Sequence, residues 1–166
     1  MLRVAILSDT HVPSRATAIP EWVTAAIRRA DHVIHAGDFD SRHAYERIEN
    51  LADGALTCAR GNMDPAALDL PRVDTVSLED VTVVVTHGTG SPRDWHQRVV
   101  ETARSRAESD PVVAVAGHTH EVVDTVIDGI RVLNPGSATA ASPATHETMF
   151  VATVDGDDLS VERRTR

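Results

Sequence analysis

Lysine is absent from this chain: all sixteen basic residues are arginines, set against 25 acidic residues for a net charge of −9. That balance argues against a general grip on a nucleic-acid backbone, which needs a basic surface. It suits a chain kept soluble in concentrated salt by a coat of repelling carboxylates. A GC-rich genome explains the missing lysine equally well. Cysteine is nearly absent. Cys58 stands alone, which excludes an internal disulfide and a cysteine cage for zinc. No apolar run is long enough to cross a membrane. The opening MLRVAILSDTH lacks the charged region and small-residue cleavage site of a secretory signal, so it reads as a first strand and a cytoplasmic location is expected. With 166 residues, a single domain over 1–166 is expected.

What is present is a regular alternation. Leu2 to Leu7 is a short apolar run followed by the polar Ser8-Asp9-Thr10-His11. From Pro20 to Ala30, the residues Val23, Ile27 and Ala30 fall at helical spacing. The run HVIHAGD predicts a second strand, Ser41 to Ala52 a second helix, and ALTCARGN a third strand. VDTVSL and VTVVVTHG predict two strands joined by a Glu79-Asp80 turn. Ser91-Pro92 is expected to open a third helix, with Trp95, Val99, Ala103 and Ala107 facing the core. VVAVAGHTH is another strand. Asp128-Gly129 and Asp155-Gly156-Asp157 predict two hairpins. Strand–helix alternation implies parallel strands, and the later hairpins imply antiparallel ones. The sum is a mixed sheet, or two sheets face to face, with helices outside.

The strands end alike. Asp9 and His11 follow the first, Asp38 the second, Asn62 the third, His87 the fifth, and His118 and His120 the sixth. If these strands share a sheet, seven side chains that can each offer a lone pair to a cation converge on one rim. Glycines accompany them at 37, 61, 88 and 117, permitting sharp turns and close approach. Seven mixed nitrogen and oxygen donors exceed a four-coordinate zinc site and suit two metals sharing a carboxylate. Without a thiolate, the expected ions are Mn foremost, then Ni, Fe, Zn or Co.

The motifs SDTH, AGDF, RGNMD, VTHG and AGHTH, in this order, resemble those of the calcineurin-like metallophosphoesterases. The length and the segment LNPGS are similar to the small YfcE-type phosphodiesterase group. The resemblance spans residues 8–137. It implies a four-layer αββα sandwich of two mixed β-sheets flanked by helices. It also implies that Asp9, His11 and His120 hold one metal, that Asn62, His87 and His118 hold another, and that Asp38 bridges them. Asp38, Asn62 and His87 would then act in catalysis through the metals. The implied reaction is hydrolysis of a phosphate ester by a metal-activated water. One departure stands out. Larger members carry histidine after the asparagine, where it can protonate the leaving group; here that residue is Met63, and Asp64 remains without the histidine it would orient. Weak activity is expected unless the leaving group is good, or unless His43, His96 or His146 substitutes.

The simpler reading holds for several residues. His32, His43, His96 and His146 read as ordinary polar residues, His35 as structural, and Trp95 as core. Arg60 and Arg93 are candidate phosphate contacts, and Asn134-Pro135-Gly136-Ser137 a turn near the site. The leading expectation is a phosphodiesterase acting on a small diester. A phosphomonoesterase and a retromer-subunit-like interaction scaffold with an idle metal site are the alternatives; a nuclease is disfavoured by the charge. Exposed C-terminal hairpins suggest a homo-oligomer.

Overall fold

The computed structural model describes residues 1–166. Three parallel strands, β1 (Leu2–Leu7), β2 (His32–His35) and β3 (Leu56–Cys58), alternate with helices α1 (Glu21–Arg28) and α2 (Arg42–Leu51). A second group follows: β4 (Val73–Leu78), β5 (Val81–Thr86), helix α3 (Trp95–Arg106), β6 (Val112–Val115), β7 (Val122–Ile127) and β8 (Ile130–Pro135). The chain then returns to the first group through the hairpin β9 (Thr148–Asp155) and β10 (Asp158–Thr165). Two five-stranded sheets result, ordered β10-β9-β1-β2-β3 and β4-β5-β6-β8-β7. In the second sheet β5, β6 and β8 run parallel, while β4 and β7 are antiparallel edges.

The period-two alternation of strand side chains decides the layering. Val4 and Ile6 of β1 meet Val83 and Val85 of β5 and Val113 and Val115 of β6 in the core between the sheets. Ala5 and Leu7, one residue out of phase, pack against Val23 and Ile27 of α1 and Ala44 and Ile48 of α2. Val84 and Ala114 likewise face outward onto Trp95, Val99 and Ala103 of α3. Three apolar clusters thus separate four layers, helix–sheet–sheet–helix, as the resemblance implies. A sheet apolar on both faces needs two covers, and this arrangement supplies both.

The helix starts follow their capping residues. Ser41 accepts from the Ala44 N–H at 3.1 Å and opens α2. Ser91 also caps, through the Arg93 N–H at 3.3 Å, but what it opens is a short 3-10 turn, Pro92–Asp94. The α-helix proper begins four residues after the serine, at Trp95, a correction to the expected start. No helix is long and apolar enough to cross a membrane.

Candidate metal centre

The seven expected residues come from both sheets. Asp9 and His11 follow β1, Asp38 follows β2 and Asn62 follows β3; His87 follows β5, and His118 and His120 follow β6. Their rim is therefore the mouth between two packed sheets rather than the edge of one. The packing that buries the inter-sheet core also brings these strand ends together.

The loops bend hard to reach this mouth. Asp9 and His11 have φ of 53° and 44°, Asp38 and Asp40 63° and 78°, and His118 and His120 74° and 61°. A left-handed step at a non-glycine residue costs on the order of 1–3 kcal/mol and persists where surrounding contacts enforce it. Two of those contacts need glycine for space. A Cβ on Gly61 would run into the Asp38 carboxylate, and one on Gly117 would strike Ser8 and the Asp9 carboxylate. Trp95 secures Gly117 from behind, its indole N–H donating to the Gly117 carbonyl at 2.9 Å.

Hydrogen bonds fix which ring nitrogens are free. Nδ1 of His11 lies 2.8 Å from Asp40 Oδ1, Nδ1 of His120 2.9 Å from the Ala141 carbonyl, and Nδ1 of His87 2.7 Å from the Ala36 carbonyl. Each partner only accepts, so each Nδ1 carries the hydrogen and each Nε2 is left with a lone pair in the neutral ring. Those lone pairs converge. Nε2 of His11 and Nε2 of His120 face each other at 3.2 Å, two acceptors with nothing between them to share. Asp9 Oδ1 lies 3.2 Å from His120 Nε2 and 3.6 Å from His11 Nε2. Asp38 Oδ2 lies 3.1 Å from His87 Nε2 and 3.5 Å from His11 Nε2.

Each carboxylate spends its other oxygen on neighbouring donors. Asp9 Oδ2 accepts from Ser8 Oγ at 2.7 Å and from the His118 N–H at 3.1 Å, while Asp38 Oδ1 accepts from the Met63 N–H at 2.8 Å. Asp9 Oδ1 and His87 Nε2 are buried with no hydrogen-bond partner. Orphaned, buried and converging electron pairs call for a cation. Two groups meet the geometric requirement, Asp9 with His11 and His120, and Asp9 with Asp38 and His87. The donors are nitrogen and oxygen only, which fits a borderline divalent metal.

Electrostatics point the same way. Burial pushes the His87 imidazole down, but the Asp38 carboxylate, 3.1 Å from its Nε2, and the nearby Asp9 charge outweigh it and hold it up at about 9. Burial pushes Asp9 up, yet the imidazoles of His11, His120 and His87 close beside it keep its carboxyl far below the usual range. The pocket attracts positive charge. On its open side, His118 Nε2 lies 3.0 Å from the Gly90 carbonyl, leaving Nδ1 3.2 Å from Asn62 Oδ1, a second pair of facing acceptors.

Comparison with known proteins agrees with this geometry. Residues 2–157 match the calcineurin-like phosphoesterase superfamily domain. The chain belongs to that family. A protein of Methanothermobacter thermautotrophicus named a probable metallophosphoesterase is 33% identical, over 96% of this chain and 90% of its own. A protein of Methanocaldococcus jannaschii named a phosphodiesterase is 31% identical, over 81% of this chain and 83% of its own. The crystal structure of Chaetomium thermophilum Vps29 superposes with a TM-score of 0.81 at 19% identity, covering 99% of this chain and 98% of that one.

Within this phosphoesterase fold several supporting residues were not expected. Asp40, not among the expected residues, orients His11. Asp64 has a role other than orienting an absent histidine. Its carboxylate accepts from the N–H groups of Gly61, Asp38, Phe39 and Asp40 at 2.7 to 3.1 Å and so ties the β2 and β3 loops together. Ser137 joins the LNPGS turn to the site, its hydroxyl donating to the Asp9 carbonyl at 2.8 Å. An S/D-rich loop offers no signal for which backbone groups it will cap. His35 is structural, as expected: its Nδ1 accepts from the Gly37 N–H at 3.0 Å and its ring stacks on Phe39 at 3.7 Å. His43, His96 and His146 make no hydrogen bond to any of the seven residues; His146 pairs with neighbouring Thr145 and His96 packs edge-on to Trp95. Arg60 lies beside Asn62 in a cavity next to the site, whereas Arg93 is not among that cavity's lining residues.

Proposed function

We propose that this chain is a binuclear metal-dependent phosphodiesterase acting on a small diester. Asp9, His11 and His120 would hold one divalent ion, Asn62, His87 and His118 the other, and Asp38 would bridge. The observation that carries the reading is the opposed pair of Nε2 lone pairs on His11 and His120, 3.2 Å apart with both tautomers fixed from behind. The bridging role of Asp38 is supported by Oδ2, which reaches His11 at 3.5 Å and His87 at 3.1 Å. Manganese is the first choice of ion, with Ni, Fe, Zn or Co as alternatives.

Bound ions would supply Lewis acidity toward the phosphoryl oxygens and a water acidic enough to attack at neutral pH. The protein's part is to keep the ring lone pairs aimed through Asp40, Ala36 and Ala141, and to hold each carboxylate by one oxygen while offering the other. It supplies no proton at the Met63 position, whose thioether is half exposed and cannot donate. Asp64 is spent on four backbone N–H groups. The leaving oxygen must therefore depart as a stable anion, which favours esters of acidic alcohols and phenols. A diester is supported by this chemistry and by the phosphodiesterase name of the Methanocaldococcus relative.

The fold-level likeness to Vps29 favours a second reading, an interaction scaffold with an idle site. Chelator-stripped protein assayed on bis-p-nitrophenyl phosphate and p-nitrophenyl phosphate, with Mn, Ni, Zn or Mg added back, separates the two. Metal-restored turnover of the diester, two ions per chain by elemental analysis and loss of turnover in Asp38→Asn support the enzyme. Two bound ions with no turnover under any metal or salt would favour the scaffold.

A further inference from the structure

A cavity of about 350 Å³ opens beside the metal centre, sharing Asn62 and His87 with it. Its size falls in the range of small-ligand sites. Three arginines line it, Arg60 from the β3 loop, Arg72 just before β4 and Arg98 from α3, and no aspartate or glutamate does. In a chain with 25 acidic and 16 basic residues, that is a local reversal of sign. None of the three forms an ion pair: the arginine–carboxylate pairs of the fold are Arg28–Glu21, Arg42–Glu46, Arg131–Asp124 and Arg164–Glu162. Arg98 donates through one terminal nitrogen to the Gly88 and Ser91 carbonyls at 2.8 and 3.0 Å, which holds it at the cavity wall, and its Nε has no partner. Thr86 and Thr89 add hydroxyls to the lining, which includes one hydrophobic residue and, besides the buried His87 imidazole, no aromatic ring.

We infer that this cavity binds a second oxyanion on the substrate, so that the favoured diester carries a phosphate or carboxylate besides the reacting phosphoryl group. The inference rests on the phosphodiesterase reading and narrows it. Guanidinium forks recognise planar or tetrahedral oxyanions through paired donors, and threonine hydroxyls complete such a shell. With no Phe, Tyr or Trp in the lining and the His87 imidazole buried, there is no platform on which a nucleobase could stack, so recognition falls on charge and hydroxyl groups. The cavity adjoins Asn62 and His87, so the second oxyanion sits on the open side of the centre, away from the buried His11–His120 pair. Because the acidic surface elsewhere repels anions, this patch also sets where an anionic substrate enters.

Two measurements test it. The first needs no turnover. Metal-free protein is titrated with inorganic phosphate, and separately with malonate, while the side-chain Nε–H signals of Arg60 and Arg98 are followed by NMR. Saturable shifts are expected, with affinity falling at least about tenfold in the Arg60→Gln/Arg72→Gln double variant, the loss that charged hydrogen bonds typically carry. Whichever anion binds more tightly names the oxyanion; binding of neither, or equal affinity in the variant, overturns the inference. The second compares kcat/KM for the 5′-p-nitrophenyl ester of thymidine 5′-phosphate with and without a 3′-phosphate. The native protein with metal is expected to favour the 3′-phosphorylated ester by roughly tenfold, and the double variant to lose that ratio. A ratio near one in the native protein overturns it. Turnover of neither ester sinks the phosphodiesterase reading instead, and the titration then still decides the cavity.

Discussion

The two halves of the centre are built differently. Asp9, His11 and His120 are almost sealed: each is at most 7% exposed, and both histidines are held from behind by an acceptor. On the other side His87 is sealed, but His118 is half buried and Asn62 is exposed beside the arginine cavity. In the proposed reading the closed half would hold an ion and offer little surface to a substrate. The open half keeps exchangeable surface, and in the same reading a substrate would meet the protein there. A buried ligand set binds tightly because it is preorganised; an exposed one reacts because it is reachable.

The comparison can be broken most severely at Asp9, a buried carboxylate that faces ring nitrogens on both sides. Asp9 Oδ1 reaches His120 at 3.2 Å and His87 at 3.8 Å. Asp9→Asn removes a buried negative charge from both, and kcat/KM should fall by roughly 10³-fold, the worth of several kcal/mol of electrostatic stabilisation. Turnover within tenfold of native would show that Asp9 is not central.

Smaller changes separate the halves. Asp40→Asn should weaken the tighter ion by about 10–100-fold, the usual cost of removing a carboxylate behind a ligating histidine. If two ions bind as proposed, Asn62→Ala should leave that ion in place and drop the stoichiometry to one by elemental analysis after dialysis. Loss of both ions together in Asn62→Ala would erase the distinction. Protons compete with metal at the same lone pairs. His87 in the metal-free protein titrates at about 9, so ion affinity should climb as pH rises toward that value and level off beyond it, read by competition with a chelator.

Two predictions concern stability. Gly117→Ala pushes a methyl against Ser8 and Asp9, and overpacking of that kind costs roughly 1–3 kcal/mol, seen as a lower urea midpoint. The mildest test is His35. Burial drops its folded-state value to about 3, against 6.5 for an exposed ring. The unfolded chain therefore takes up the proton first. Metal-free protein should lose stability as pH falls from 6.5 toward 3, and His35→Phe should flatten that limb. An unchanged limb would mean that His35 titrates alike folded and unfolded.

Much of this was legible in the residues. Strand and helix positions followed from period, because a strand that packs on both faces must be apolar throughout and a helix must be apolar every third or fourth residue. Strand ends marked by Asp, His or Asn after a glycine, or just before one, flagged the site, since polar groups at the mouth of buried strands have no packing reason to recur. The start of α3 was misplaced because Ser91 caps either kind of helical turn and the sequence does not distinguish them. The backbone role of Asp64 was not legible because three of the four donors it serves lie on the β2 loop.

The sequence by itself determined which side chains can donate to a cation, that Met63 withholds a proton, and that each element is apolar in the pattern its layer requires. Tertiary structure alone decided that the strand ends belong to two sheets rather than one, which lone pair each histidine turns inward, and that Arg60, Arg72 and Arg98 share one cavity. Those facts depend on contacts between residues far apart in the chain, such as Ala141 behind His120 and Ala36 behind His87. Local propensity is set by a residue and its near neighbours, whereas a tautomer or a charged cavity is set by whatever the packed fold brings beside it.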